Sequence, residues 1–315
     1  MKFRLGREWP SIVTLAALLL FLAVAAPRFY NAGNLRDLAL ANISVLLVAV
    51  GMTLVIVVAQ IDISVGSLFA VCSVFCGVLA RAGTPALVLA FAAIASGALL
   101  GSMNGALVSF VRAPSIVVTL ATMIAWREAL NWITGGAWVE GLPPNFQWFG
   151  LGQTAGELVI VFSTLGIFAA IGWASQHVAA LRVIYATGSD VEAARLAGIP
   201  VKRVVFWVFV LMGALTGIAS LLNAVRFSDV PANSGINLEL KAIAAVVVGG
   251  TPITGGRGSL LGTFTGVLLL GSVAPALTFL GVNPYWEKAI QGAIILATVL
   301  FDALSMRHGK RLAIA

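Results

Sequence analysis

Charge is what this sequence has least of. Only 10% of its 315 residues are Asp, Glu, Lys or Arg, whereas 60% are apolar, and the mean hydropathy is +1.03. A soluble domain carries roughly 25% charged residues, so this chain has too little polar residue to give a large core a wettable surface. Histidine and cysteine are almost missing too: His177 and His308, Cys72 and Cys76. The cysteines stand one helical turn apart in an apolar run, with no second ligand pair or nearby His. That argues against a metal or redox centre and for small packing residues. No GxxxxGK[ST], HExxH or GxSxG motif occurs, and the Gly-rich run Gly249 to Gly258, GGTPITGGRG, lacks the Lys and Ser or Thr of a phosphate loop. The chain is therefore expected to be no enzyme and to need no cofactor or metal. A formal charge of +7 and a pI near 10.0 would point to nucleic acid in a soluble protein. No basic patch interleaved with aromatics is present, however, and a cytoplasmic bias of Lys and Arg in a membrane protein accounts for the charge without a nucleic-acid partner.

What the chain has instead is long apolar runs. A span needs about 20 apolar residues. Candidates are Ser11 to Pro27, Ala41 to Gln60, Val65 to Ala80, Pro85 to Val111, Ser115 to Ile133 and Glu157 to Ser175. Four more follow: Val204 to Val225, a short Ala242 to Val248, Ser259 to Leu280 and Ala289 to Leu304. This predicts an all-α, polytopic transmembrane bundle of about ten crossings, with both termini cytoplasmic. In that orientation Arg112, the 182–203 loop, Arg257 and the tail Arg307, Lys310 and Arg311 fall inside. The outside receives Arg28, Arg36, Arg81 and Arg226, diluted by Asp37, Glu140 and Asp229. Lys2, Arg4 and Arg7 before the first run, and Ala23 to Ala26 at its end, imitate a signal peptide. The spans that follow favour an uncleaved first helix. The absence of a Ser- and Arg-rich presequence fits a bacterial plasma membrane.

No soluble domain interrupts the runs, so residues 1–315 read as one transmembrane domain. Two external stretches are long enough to receive a partner: Gly135 to Gln153, rich in Gly, Pro and Trp, and the polar turn Arg226 to Leu238. Ile61 to Ala70 and Ile253 to Gly262 share Gly-Ser-Leu, a weak internal echo of the kind transporter repeats leave. The one polar interval with a helix pattern of its own is Arg182 to Arg203, RVIYATGSDVEAARLAGIPVKR. Ser189 or Asp190 can cap a short helix through Glu192, Ala193, Ala194 and Arg195, stopped by Gly198 and followed by Pro200. A membrane protein thus offers one short, capped helix to water, and a partner outside the membrane is expected to hold it.

Polar groups at membrane depth are costly and point to function or to helix pairing. Asp62 lies between two runs with Gln60, Ser64 and Ser67 near it. It can line a pathway or hinge, or cap a helix at the membrane face. Asn104, Thr119 and Thr122 can line a polar path or bind helices together, and Gly101 with Gly105 makes a small-residue packing face beside Asn104. Arg127 and Glu128 stand inside a span. Glu239 and Lys241 flank the short run and can pair with each other or with Asp62, a local ion pair being the simpler account. The tentative pathway set is Gln60, Asp62, Ser64, Asn104, Thr119 and Thr122.

Five blocks together resemble one family: GMTLVIVVAQIDISVGS (Gly51–Ser67), PSIVVTLATM (Pro114–Met123), YATGSDVEAARLAGIPVKRV (Tyr185–Val204), ELKAIAAVVVGGTPITGGRGSLLGT (Glu239–Thr263) and GVNPYWEKAIQGAIIL (Gly281–Leu296). They are similar to the permease subunits of bacterial ABC importers for ribose-type monosaccharides, in order and over nearly the whole chain. TGGAWVEGLP (Thr134–Pro143) resembles the branch handling rhamnose and autoinducer-2. The resemblance implies that Gly188 to Gly198 is the coupling helix that docks in a cytoplasmic ATPase subunit, with Gly188, Ser189, Asp190, Glu192, Ala193, Ala194, Arg195 and Gly198 in contact. It also implies a periplasmic sugar-binding protein and a second permease, a copy or a paralogue, in the bilayer. Two positions depart from the family pattern: Asp190 replaces its usual Asn, and Gln60 its usual Gly. The rival reading is a secondary sugar transporter driven by an ion gradient, for which Asp62 and Glu128 would have to form the relay.

Overall fold

The computed structural model of the chain describes residues 8–283, 285–297 and 300. Lys2, Arg4 and Arg7, His308 and the basic tail Arg307, Lys310 and Arg311 lie outside the described residues, as does part of the run Ala289 to Leu304. The helices are α1 (Trp9–Ala25), α2 (Ala32–Val57), α3 (Val65–Arg81), α4 (Ala86–Ser109), α5 (Ser115–Thr134), α6 (Gln153–His177), α7 (Ala179–Ser189), α8 (Val191–Leu196), α9 (Val201–Ala224), α10 (Leu238–Val248) and α11 (Leu260–Phe279), with a further helical stretch, α12, over 286–297. Local chemistry sets several boundaries. Pro85, Pro114 and Pro200 immediately precede α4, α5 and α9. The Asn31 side chain accepts from Gly33 N at the start of α2, and Ser259 from Gly262 N at the start of α11.

Among the described residues, six helices are long and apolar enough to cross a membrane: α2, α4, α5, α6, α9 and α11. The chain is an all-helical, polytopic membrane protein. α1 and α3 are apolar but only 17 residues long, about 25 Å at 1.5 Å per residue, short of a hydrocarbon core of about 30 Å. α10 has 11 residues. Several of the expected crossings are therefore only partly helical. The chain enters α3 through a non-helical segment, 58–64, and reaches α10 through turns over 226–237.

α2 is the axis of the bundle. Its 18-residue apolar window is 89% buried, against 11% for α6, and α2, α3, α9 and α10 supply most of one continuous apolar core. α6 turns most of its surface outward, as a lipid-facing helix does. The tightest packing joins α4 to α9. An added Cβ on Gly97 would collide with the Gly213 carbonyl, one on Gly213 with the Gly97 carbonyl, and one on Gly101 with that of Phe209. Removing side chains lets two backbones touch, which is how helices associate where lipid is as apolar as leucine. The sequence pattern marks Gly101 and Gly105; Gly97 and the partners Gly213 and Gly217 emerge only in three dimensions. Asn104 is fully buried on the same helix.

The two external stretches of the sequence meet each other. Val139 N donates to Val230 O at 2.9 Å and Val230 N to Val139 O at 3.1 Å, while Trp148 N donates to Val225 O at 2.7 Å. They cover the end of the bundle where α2 and α6 begin and α9 finishes. An ion pair between Arg36 of α2 and Glu157 of α6 joins the helices there.

Gly97→Val should force α4 from α9, an overpacking cost of about 1–3 kcal/mol, and lower the melting temperature of the detergent-solubilised protein. Gly166→Ala, with nothing within 4 Å of the added carbon, should leave it unchanged. Equal melting of the two variants would refute the α4–α9 contact.

Candidate functional site

At the opposite end, where α2 and α6 finish and α9 begins, sit α7 and α8. The sequence predicts one short helix here and the structure contains two, because an extended Val178 separates α7 from α6 and an extended Asp190 separates α8 from α7. Of the two candidate caps, Asp190 is the one that acts. Its Oδ1 accepts from Glu192 N at 2.9 Å and Ala193 N at 3.0 Å. α8 closes with Gly198 N donating to Arg195 O and Ile199 N to Ala194 O, both at 3.0 Å. This is a left-handed glycine stop, and Gly198 has φ +81°. Ala194 is buried beneath the helix, whereas Glu192 and Arg195 form an exposed pair at 2.8 Å. Leu196 is 84% exposed on this polar end.

Ser189 ties this segment to the bundle. Its Oγ donates to Tyr185 O at 2.9 Å and to Gly256 O at 3.1 Å, and Gly256 N donates to Val57 O at 2.8 Å. Gly188 rests directly on the Val57 carbonyl, leaving no room for a side chain, and a Cβ on Gly255 would come within 2.8 Å of Ala59 N. The α7–α8 corner, the end of α2 and the Gly-rich loop before α11 therefore form one junction.

Beyond that junction, one face of α5 holds the segment leading into α3. Ser115, Thr119, Met123 and Arg127 recur every four residues. Ser115 Oγ accepts from Ile61 N at 3.3 Å, Thr119 Oγ1 donates to Ile61 O at 3.4 Å, Met123 O accepts from Ser67 Oγ at 2.7 Å, and Arg127 Nη2 donates to Gly66 O at 3.0 Å. Asp62 Oδ1 accepts from Ser64 N at 2.9 Å and Ser64 Oγ at 2.6 Å, and Asn104 Nδ2 donates to Ser64 Oγ at 2.8 Å. Asp62, Ser64, Asn104 and Thr119 are all buried. Asp62 Oδ2 and Asn104 Oδ1 have no partner among the described residues. Gln60 and Thr122 are half-buried, and Thr122 bonds back to Val118 O and Thr119 O of its own helix. Of the tentative pathway set, the structure thus gathers Asp62, Ser64 and Asn104 into one network, brings Thr119 to its edge, and leaves Gln60 and Thr122 the most accessible.

A cleft of about 190 Å³ opens above this network, more than ten times the ~10–15 Å³ that one water requires. Its polar wall consists of Ser67 of α3, Arg127 and Glu128 of α5, and Asn237 and Glu239 at the start of α10. Arg127 Nη1 also donates to Ser234 O at 3.0 Å and Ala232 O at 3.4 Å. Sequence reasoning did not assemble this cleft, although Arg127 and Glu128 inside a span were a signal. Glu239 is not ion-paired with Lys241 among the described residues; its carboxylate lies over Gly66, where a Cβ would collide with it. No three His, Cys, Asp or Glu side chains among the described residues gather as metal ligands.

The family described as "Branched-chain amino acid transport system / permease component" matches residues 34–299. The chain belongs to this family. It is 35% identical to the ribose import permease protein RbsC of Escherichia coli (strain K12), over 94% of this chain and 93% of that protein. It is 31% identical to the autoinducer 2 import system permease protein LsrC of Salmonella typhi, over 94% and 86% respectively. With LsrC of Escherichia coli (strain K12 / DH10B) it shares 34% identity, over 82% and 75%. No solved structure matches the chain. The resemblance read from the five sequence blocks is thus borne out, and the chain is a permease component of the ABC-importer class, a transport subunit and not an enzyme.

Asp190→Ala removes both cap bonds, a loss of about 1 kcal/mol. Amide exchange over 191–198 in the intact chain should quicken about fivefold, while Asp190→Asn, an equivalent cap, should not alter it. Unchanged exchange in the alanine variant would mean that α8 does not depend on this cap.

Proposed function

We propose that this chain is the transmembrane subunit of an ATP-driven importer for a neutral monosaccharide or related small sugar in a bacterial inner membrane. The observation that carries the solute class is the alignment along 94% of the chain with a permease named for ribose, supported by the relatives named for autoinducer 2. The family description names branched-chain amino acids, but the curated relatives given above align along most of the chain and are named for other solutes.

The geometry divides the work between the two ends. α8, with Gly188, Ser189, Asp190, Glu192, Ala193, Ala194, Arg195 and Gly198 in or beside it, docks on a cytoplasmic ATPase subunit. It is defined at both ends by a cap and a glycine stop and offers an exposed charge pair. The paired stretches 135–153 and 226–238 at the other end receive a periplasmic sugar-binding protein. A second permease, a copy or a paralogue, completes the pathway, and residues 1–315 act as one domain. In this reading the chain makes ten crossings with both termini cytoplasmic, an orientation that the described basic residues favour. Arg112, Arg182, Arg203 and Arg257 collect at the α8 end; Arg28, Arg36, Arg81 and Arg226 share the other with Asp37, Glu140 and Asp229. Within the pathway, Gln60 and Thr122 face the solute, and Asp62, Ser64, Asn104 and Thr119 brace the wall behind them.

The test is purification of a tagged copy in mild detergent, followed by uptake in vesicles. An ATPase subunit should accompany the chain, and uptake should require ATP. Replacing Glu192 and Arg195 together with Gly should lower uptake about tenfold or more while the chain stays in the membrane and ATP hydrolysis by its partner continues. Wild-type uptake in that variant would overturn the coupling role. Uptake that survives ATP depletion but collapses with an uncoupler would establish the ion-gradient reading instead.

A further inference from the structure

The cleft beside Arg127 has features that bracing alone does not require. It lies where two helices begin partway along the bundle. Gly66, in the first turn of α3, meets Arg127, the thirteenth residue of α5, which puts this level about 18 Å along that helix. α10 starts at the same level, with Glu239 over Gly66. Arg127 is held by the carbonyls of Gly66, Ser234 and Ala232, so most of its donor capacity is spent on the wall. Glu128 and Glu239 have no ion-pair partner within 4 Å among the described residues. Two carboxylates and one largely committed guanidinium leave the cleft with an excess of hydrogen-bond acceptors and a formal charge of −1.

That balance selects a class of solute. An anion such as a sugar phosphate would be repelled. A solute carboxylate would find the guanidinium already engaged. A neutral polyol suits the site, because neighbouring hydroxyls can donate to the two oxygens of one carboxylate, and the Asn237 amide can donate to a ring or hydroxyl oxygen. Met123, Ile124 and Ile236, which complete the lining, offer an apolar surface to the C–H face of a sugar ring. We propose that this cleft between α3, α5 and the start of α10 is the station at which a neutral polyhydroxylated solute is held during transport, with Glu128 and Glu239 accepting its hydroxyl hydrogens and Asn237 donating to its oxygens. The proposal rests on the importer reading.

The experiment uses the complete complex of permease, ATPase and binding protein in vesicles, with D-ribose, L-rhamnose and L-leucine as probes. Glu128→Gln and Glu239→Gln keep shape and remove charge. Each should slow uptake of the accepted sugar about tenfold, while the complex still assembles and binding protein still stimulates ATP hydrolysis. Separately, Asn237→Cys should react with a membrane-impermeant thiol reagent, and the sugar should slow that reaction. The native thiols Cys72 and Cys76 are buried and give little background. Wild-type uptake in both glutamine variants, or labelling of Asn237→Cys that the sugar does not slow, would overturn the proposal and leave the importer reading intact. ATP-driven uptake of L-leucine and of neither sugar would overturn the solute class. Absence of ATP-dependent uptake by the wild-type complex would instead sink the importer reading itself.

Discussion

Backbone that is not helical has to find its hydrogen bonds inside the protein when it lies at membrane depth, since hydrocarbon offers none. The segment 58–64 and the inner part of 226–237, next to α10, both face this constraint. α5 meets it for the first, through a stripe of Ser115, Thr119, Met123 and Arg127 that supplies an acceptor to Ile61 N, a donor to Ile61 O, an acceptor to Ser67 Oγ and a donor to Gly66 O. Asp62 adds a tight turn just before α3, its Oδ1 accepting from Ser64 N and Ser64 Oγ. For the second segment, Arg127 reaches Ser234 and Ala232, and the Val139–Val230 bridge anchors the outer end. One guanidinium thus ties the first turn of α3 to the second irregular stretch. A lysine at 127 would bring the same charge but not the planar fork that spans three carbonyls. An isolated arginine at the centre of a span costs about 2.5–3.5 kcal/mol on insertion scales, and the three acceptors offset that cost here.

Close backbone approach is the second device, used where no side-chain partner is available. Between α4 and α9 it substitutes for the hydrophobic effect, which lipid cancels. At Gly188 it serves another purpose, seating the last turn of α7 on the Val57 carbonyl. Both positions need glycine because of what lies opposite, not because of a special φ.

Local signals carried much of this into the sequence. Asp190, the three residues after it and Gly198 define α8 without reference to the rest of the chain, since cap and stop act within one turn of the helix they bound. α7 escaped because no Gly or Pro separates it from α6; the turn at Val178 comes from tertiary packing. Asp62 was legible as a capping residue or a pathway residue but not as one in preference to the other, because its network includes Asn104, 42 positions away, which donates to Ser64. Glu239 and Lys241 illustrate a misread spacing. Residues two apart on a helix do not face each other, and the folded chain turns Glu239 toward Gly66 and leaves Lys241 exposed. The partners Gly213 and Gly217 stand more than a hundred residues from Gly97 and Gly101, so no window of sequence joins them. The cleft is invisible for the same reason, being assembled from α3, α5 and α10.

The position of the α7–α8 corner explains how an event in water can reach groups inside the membrane. The Gly-rich loop before α11 binds both Ser189 and Val57, so the corner is bonded to the stretches that end α2 and begin α11. From Val57 only a few residues separate the junction from the Asp62 turn, and α10 leads from the same loop back to Glu239. A rigid displacement of α8 therefore bears on both irregular segments together. Packed interfaces have discrete arrangements and do not deform smoothly, so in the proposed importer such a displacement would favour one of two states of the cleft wall. On the importer reading, the ATPase acts by holding α8 more tightly in one of those states, and its differential affinity for the two sets how far the pathway shifts.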